Sequence, residues 1–216
     1  MIMRKTAISF LLLLAGLTAG AQNKAQWNAE PVNHLDFYYN YNLGTPEALS
    51  HSGWGLSFPI YQVQYVSANE RNMLTLDFVN LSMDFLFPQK GHLFGEDGSI
   101  VTAPDSFSKL KSRIYNLGIT LPIGYAHQFG NGWGAGLSIA PGIDRAEFIN
   151  DYVDGDIRYS HTYSKNSRYI GFRLDAVAAV WYYGIGLTFR YRPFSYLNQA
   201  VEKTGGVISA GISFRY

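Results

Sequence analysis

Apolar and polar residues alternate with a period of two in eight stretches of this chain. That spacing puts successive side chains on opposite faces of a β-strand. The last stretch is the most regular. Ile208, Ala210, Ile212, Phe214 and Tyr216 share one face, and Val207, Ser209, Gly211, Ser213 and Arg215 share the other. The cleanest internal stretch, about 113–127, sets Tyr115, Leu117, Ile119, Leu121, Ile123 and Tyr125 against Asn116, Gly118, Thr120, Pro122, Gly124 and Ala126. The others fall at about 32–41, 53–66, 72–86, 132–149, 167–182 and 184–194. Two of them change phase, near Pro59 and near Phe78, as a bulge makes a strand do. The connections after the second, fourth and sixth stretches are short, at 68–71, 128–131 and 183–184. Those after the first, third, fifth and seventh are longer, at 42–52, 87–112, 150–166 and 195–205. An even number of strands with alternating short and long connections predicts an all-β fold, an eight-stranded antiparallel up-and-down barrel with both termini at the short-turn end.

Composition narrows the setting of that barrel. The chain holds 16 Tyr, 14 Phe and 22 Gly, and the 113–127 face has Tyr at both ends with aliphatics between, the girdle pattern of a transmembrane β-strand. Arg4 and Lys5, the apolar run Ile8 to Leu17 and the small residues Ala19-Gly20-Ala21 read as a cleaved signal peptide over 1–21. Residues 22–216 then form the barrel domain, and no other apolar run approaches the ~20 residues of a membrane helix. Losing Arg4 and Lys5 leaves 15 basic residues, from 17, against 16 acidic ones, a net charge of about −1. That balance gives no basic face for nucleic acid. With no cysteine, lipidation after the signal, disulfides, thiolate chemistry and cysteine metal sites are all excluded.

The signal, the eight amphipathic stretches and the terminal Phe214-Arg215-Tyr216 resemble the small outer-membrane β-barrel proteins of Gram-negative bacteria. The Tyr- and Asn-rich run Phe37-Tyr38-Tyr39-Asn40-Tyr41-Asn42 is similar in style to barrels of the Bacteroidota. The resemblance spans the mature chain and is architectural. It implies a monomer in the cell outer membrane, both termini periplasmic, with outer-membrane lipid and lipopolysaccharide around it. It also implies that the barrel-assembly machinery reads Phe214 and Tyr216 as an assembly signal. The expected role is non-enzymatic: envelope structure, or surface interaction through the four long loops. Set against it are a narrow porin-like pore or hydrophobic small-molecule conduit, and a lipid A-modifying enzyme.

Three groups of residues bear on that choice. By parity Asp36, Asp77, Asp84, Asp144, Arg173, Asp175, Arg190, Arg192 and Arg215 point into the barrel. Eight strands leave an interior just wide enough for side chains, so these charges are expected to pair and plug the lumen in preference to lining a pore. Closure puts Asp36 beside Arg215. His161 and Ser164 resemble the His-x-Ser-Asn element of the outer-membrane lipid A deacylases, whose His base activates a Ser nucleophile. Here the serine follows at three residues instead of two, which puts the pair on opposite faces of a strand. A polar extracellular loop is the expectation for this segment. His34, His51, His92, His127 and His161 are scattered without ligand spacing, and His92 and Glu96 share only the longest loop. No metal or cofactor is expected.

Overall fold

The computed structural model describes residues 26–31, 34–43, 49–88, 91–95, 99–163, 170–194 and 206–215. The strands are β1 (Gln26–Pro31), β2 (His34–Leu43), β3 (Leu49–Val66), β4 (Asn72–Pro88), β5 (His92–Phe94), β6 (Ile100–Thr102), β7 (Phe107–Thr120), β8 (Ile123–Gly130), β9 (Trp133–Asp154), β10 (Ile157–Tyr163), β11 (Ile170–Tyr182), β12 (Ile185–Phe194) and β13 (Gly206–Arg215). Eight positions around the barrel account for all but the small β5–β6 hairpin. β1 and β2 both pair with β3 and occupy one position. β7 and β8 both pair with β4 on one side and β9 on the other. Their ladder breaks at Pro122, which has no N–H to donate. β10 and β11 share the remaining side of β9.

The ring closes antiparallel between β13 and β2, from Gly206 opposite Leu43 to Arg215 opposite His34. The turns at Asn131-Gly132 (φ 52° and 80°) and Tyr183-Gly184 (φ 45° and 84°) are left-handed at both positions. This is the conformation that matches the twist of a tight hairpin and favours Asn and Gly. They lie with the 67–71 turn at one end of the barrel, the turn end. The opposite, loop end carries the longer connections.

The two phase changes occur opposite one another. Ile60 and Tyr61 both face outward, and Val79 takes a φ of 56°. Pro59 pairs with Asn80 and Tyr61 with Phe78, so both strands switch together and their register is preserved.

Burial is inverted relative to an ordinary domain. Leu137 is 67% exposed on the outer face while Arg173 is 0% exposed inside. The outer face carries a continuous band of Ile, Leu, Val and Phe. Aromatic groups bound it. Trp54 stacks on Phe85 at 4.2 Å and Phe85 meets Tyr115 at a tilt at 5.0 Å near the loop end, and Trp133, Tyr182 and Tyr183 pack at 4.9 and 4.6 Å at the turn end.

The long connections differ most from expectation. Much of 87–112 and 150–166 is strand. β9 runs 22 residues to Asp154, turns at Gly155-Asp156 and returns as β10, while β7 begins at Phe107. The reason lies in side chains that pair across these strands beyond the barrel.

A sealed lumen and a projecting sheet as the candidate functional site

The lumen is filled in layers. At the loop end the β5–β6 hairpin folds inward and buries Phe94 against Leu86, Ile114, Ala146 and Phe148. The Phe94 and Phe148 rings meet at 5.1 Å, and Ile100 and Tyr163 pack against the cluster. Asn150 fastens the hairpin at both backbone groups of Phe94. The Phe94 N–H donates to Asn150 Oδ1 at 3.0 Å, and Asn150 Nδ2 donates to the Phe94 carbonyl at 2.7 Å.

Beneath this cap three arginines from β11 and β12 meet two central carboxylates. Arg173 Nη2 lies 2.7 Å from Asp175 Oδ2, and its Nη1 lies 3.5 Å from Asp84 Oδ2. Arg192 spans the same two acids, Nε to Asp175 Oδ1 at 2.8 Å and Nη1 to Asp84 Oδ2 at 3.0 Å. Arg190 reaches Asp175 at 3.5 Å and Asp36 at 3.6 Å, and its guanidinium lies 4.4 Å over the Tyr38 ring. Neutral groups complete the layer. Asn40 donates to Asp84 at 3.0 Å, Asn116 to Asp84 and Asp144 at 3.3 and 3.4 Å, and Arg190 to Ser57 at 2.8 Å. In the directly ion-paired set Arg173, Arg190 and Arg192 face Asp36, Asp84 and Asp175, three basic side chains against three acidic ones, the pairing under which buried charge is tolerated.

Toward the turn end lies a polar cavity of about 70 Å³, lined in part by His34, Asp36, Gln62, Asp77, Asn80 and Arg215. Gln62 donates to Asp77 there. A cavity of this size and polarity accommodates a few water molecules. Ala126, Ala179 and Arg215, which also line it, pack on Trp181: the two alanines and Met73 against the ring, and the Arg215 guanidinium 4.2 Å over it.

The nine residues expected inside are thus arranged as follows. Asp36, Asp84, Arg173, Asp175, Arg190 and Arg192 form one ion-paired layer. Asp144 joins it through Asn116, Asp77 sits at the cavity with Gln62, and half-buried Arg215 stacks on Trp181. Asp36 and Arg215 line the same cavity. Gly118 leaves room for the layer, because a methyl group at its Cβ position would overlap the Arg173 guanidinium and crowd Ser82 Oγ. Gly118→Ala is therefore expected to cost about 1–3 kcal/mol, as overpacking of a filled core does. The urea midpoint of the folded barrel in detergent reads that loss, and an unchanged midpoint would mean Arg173 has slack.

The second feature lies above the barrel. The first residues of β7, the last third of β9 and all of β10 extend as a three-stranded sheet past the neighbouring ends of β4 and β12. One face is a row of near-parallel rings. Phe107 stacks on Tyr152 at 4.1 Å and Tyr152 on Tyr159 at 5.2 Å. His161 lies 6.1 Å from Tyr159 and 6.4 Å from Tyr163. The opposite face is polar. Arg113 pairs with Asp151 at 2.9 Å, and Ser160 Oγ donates to Asp151 at 2.6 Å. That hydroxyl, with Arg113 behind it, holds the Asp151 carboxyl below the usual carboxylate range. These cross-strand pairs stabilise a sheet that has no core of its own.

The other proposed chemistry is dispersed. His161 stands in β10 between two tyrosine rings, and Ser164 lies outside the described residues, as do Glu96 and Tyr216. His127 Nδ1 contacts Asn72 Oδ1 at 2.8 Å, His34 is buried at the cavity, and His92 sits in β5. Among the described residues no three His, Asp or Glu side chains are grouped to hold a metal ion. The cap, Trp181 and the ring row were not among the expected functional elements. One signal for the ring row does exist in the chain: Gly155-Asp156, with Tyr159, His161 and Tyr163 at alternate positions after it, is a hairpin pattern.

No family model matches the chain, and no curated protein does. Among solved structures it is similar to Ail, the attachment invasion locus protein of Yersinia pestis, at 10% identity, covering 86% of this chain and 97% of that one with a TM-score of 0.41. Ail in complex with the heparin analogue sucrose octasulfate matches at 10% identity over 90% and 100% of the two chains, TM-score 0.43. Neisserial surface protein A matches at 13% identity over 88% and 99%, TM-score 0.39. At this identity and superposition no site residue is carried over from either protein.

Proposed function

We propose that the protein is an outer-membrane β-barrel that acts as a sealed anchor, presenting its projecting sheet at the cell surface without passing solutes through its lumen. The observation that supports this most directly is the filled interior: an apolar cap, a neutralised arginine layer and Trp181 in series. An eight-stranded barrel has no spare cross-section once such side chains occupy it. The outer band of apolar residues between two aromatic groups favours a bilayer as its surroundings. On this reading the turn end is periplasmic, the projecting sheet is extracellular, the barrel works as a monomer within its own membrane, and Phe214 and Tyr216 serve the assembly machinery.

Two measurements test it. The protein should fractionate with outer membranes and migrate faster unboiled than boiled on a detergent gel. In planar bilayers it should give no stable conductance steps. Recovery in the soluble periplasm, or reproducible steps from the purified barrel, would overturn the anchor reading.

A further inference from the structure

Building on the extracellular placement of the projecting sheet, we infer that the free edge of β10 is a homotypic adhesion site, which pairs antiparallel with β10 of a second copy in an opposing membrane. Among the described residues β10 pairs with β9 alone. The two strands are joined by the two-residue turn Gly155-Asp156. In such a ladder Ile157, Tyr159, His161 and Tyr163 exchange their backbone bonds with β9, while Arg158, Ser160 and Thr162 turn theirs to the open side. Edges that must stay single usually carry Pro, Lys, a bulge or a covering loop. Within Ile157–Tyr163 there is no Pro or Lys, the register with β9 is unbroken, and Arg158 is the one fixed charge.

The edge is complementary to itself. Centring an antiparallel pair on Ser160 places Arg158 of one copy opposite Thr162 of the other and Tyr159 opposite His161. No like charges face each other, and rings meet rings, so the row from Phe107 through Tyr152 and Tyr159 continues into the second sheet. Symmetry then dictates the setting. Antiparallel strands within one sheet are related by a two-fold axis normal to that sheet. Because β10 runs along the direction in which the sheet leaves the barrel, this axis sends the second barrel to the far side. Two copies in one membrane run β10 in the same sense and cannot form this ladder. Two copies on facing surfaces can. A seven-residue edge buries less than a standard stable interface, so each pair is weak, and many pairs acting between two surfaces supply the strength.

The chain has no native cysteine, so Ser160→Cys places a single thiol on the proposed two-fold axis. Two cell populations each express this full-length variant with a different tag and are mixed under mild oxidation. The expected result is a disulfide-linked dimer carrying both tags. Adding Thr162→Pro should lower it by about tenfold through loss of two edge hydrogen bonds, one from each copy, with heat-modifiable migration unchanged. Labelling of the introduced thiol by a membrane-impermeant maleimide separates the two ways of failing. No labelling on intact cells would overturn the extracellular placement and the adhesion site with it. Labelling without mixed-tag dimers, or such dimers only when both tags share a cell, would overturn the adhesion site alone.

Discussion

Asp175→Ala is expected to cost about 3–5 kcal/mol, because it leaves buried guanidinium groups without their counter-charge. Asp175 receives Arg173 at 2.7 Å, Arg192 at 2.8 Å and Arg190 at 3.5 Å. Without it, three cations share Asp84 and the more distant Asp36. The side chain is 2% exposed, so water cannot replace it without entering the lumen. Asp175→Asn keeps the volume and some hydrogen bonding while removing the charge, which separates electrostatics from packing. Urea unfolding of the detergent-folded barrel gives both numbers. If the alanine variant unfolds at the wild-type midpoint, the arginine layer is not what orders the interior.

The second large effect belongs to the outer face. Ile139 lies midway along the apolar part of β9, between Trp133 at the turn end and Arg145, where outward charge begins. Ile139→Arg is expected to destabilise the barrel by about 2–4 kcal/mol when it is folded into lipid vesicles, the cost of an arginine near the bilayer midplane. Ile157→Arg provides the contrast. Ile157 is even more exposed, at 59%, but stands in the projecting sheet, where surface substitutions usually fall within about 0.5 kcal/mol. Equal costs at the two positions would mean that the apolar band does not face lipid.

Much of this architecture is legible in the chain because a closed barrel is dominated by period-two parity. Residues 113–127 alternate without interruption, and the two phase changes near Pro59 and Phe78 can be placed because polarity reverses there. Parity also assigns Arg173, Arg190 and Arg192 to one face. It cannot say which carboxylate each meets, since Asp84 and Arg192 approach across the lumen from strands far apart in sequence. The cap is illegible for a different reason. Phe94 lies in a loop without periodicity, and what fastens it is Asn150, a polar residue on β9 that holds its backbone. The projecting sheet is hidden because Tyr152 and Tyr159 read as aromatic loop residues until their pairing across β9 and β10 makes them neighbours.

The β13–β2 ladder also sets the order of events during folding. It joins His34–Leu43 to Gly206–Arg215, so the first and last staves of the barrel meet across nearly the whole intervening chain. Contacts of such separation form slowly, because loop closure must precede any gain from pairing. Until β13 arrives, β2 and β12 are both unfinished edges, and a band of Ile, Leu and Phe side chains still faces water. A chain that has not yet closed this seam is an open, sticky sheet, the kind of species that aggregates. A folding assay should therefore show closure of the β13–β2 seam as the slowest step, well after the hairpins that join neighbours in sequence.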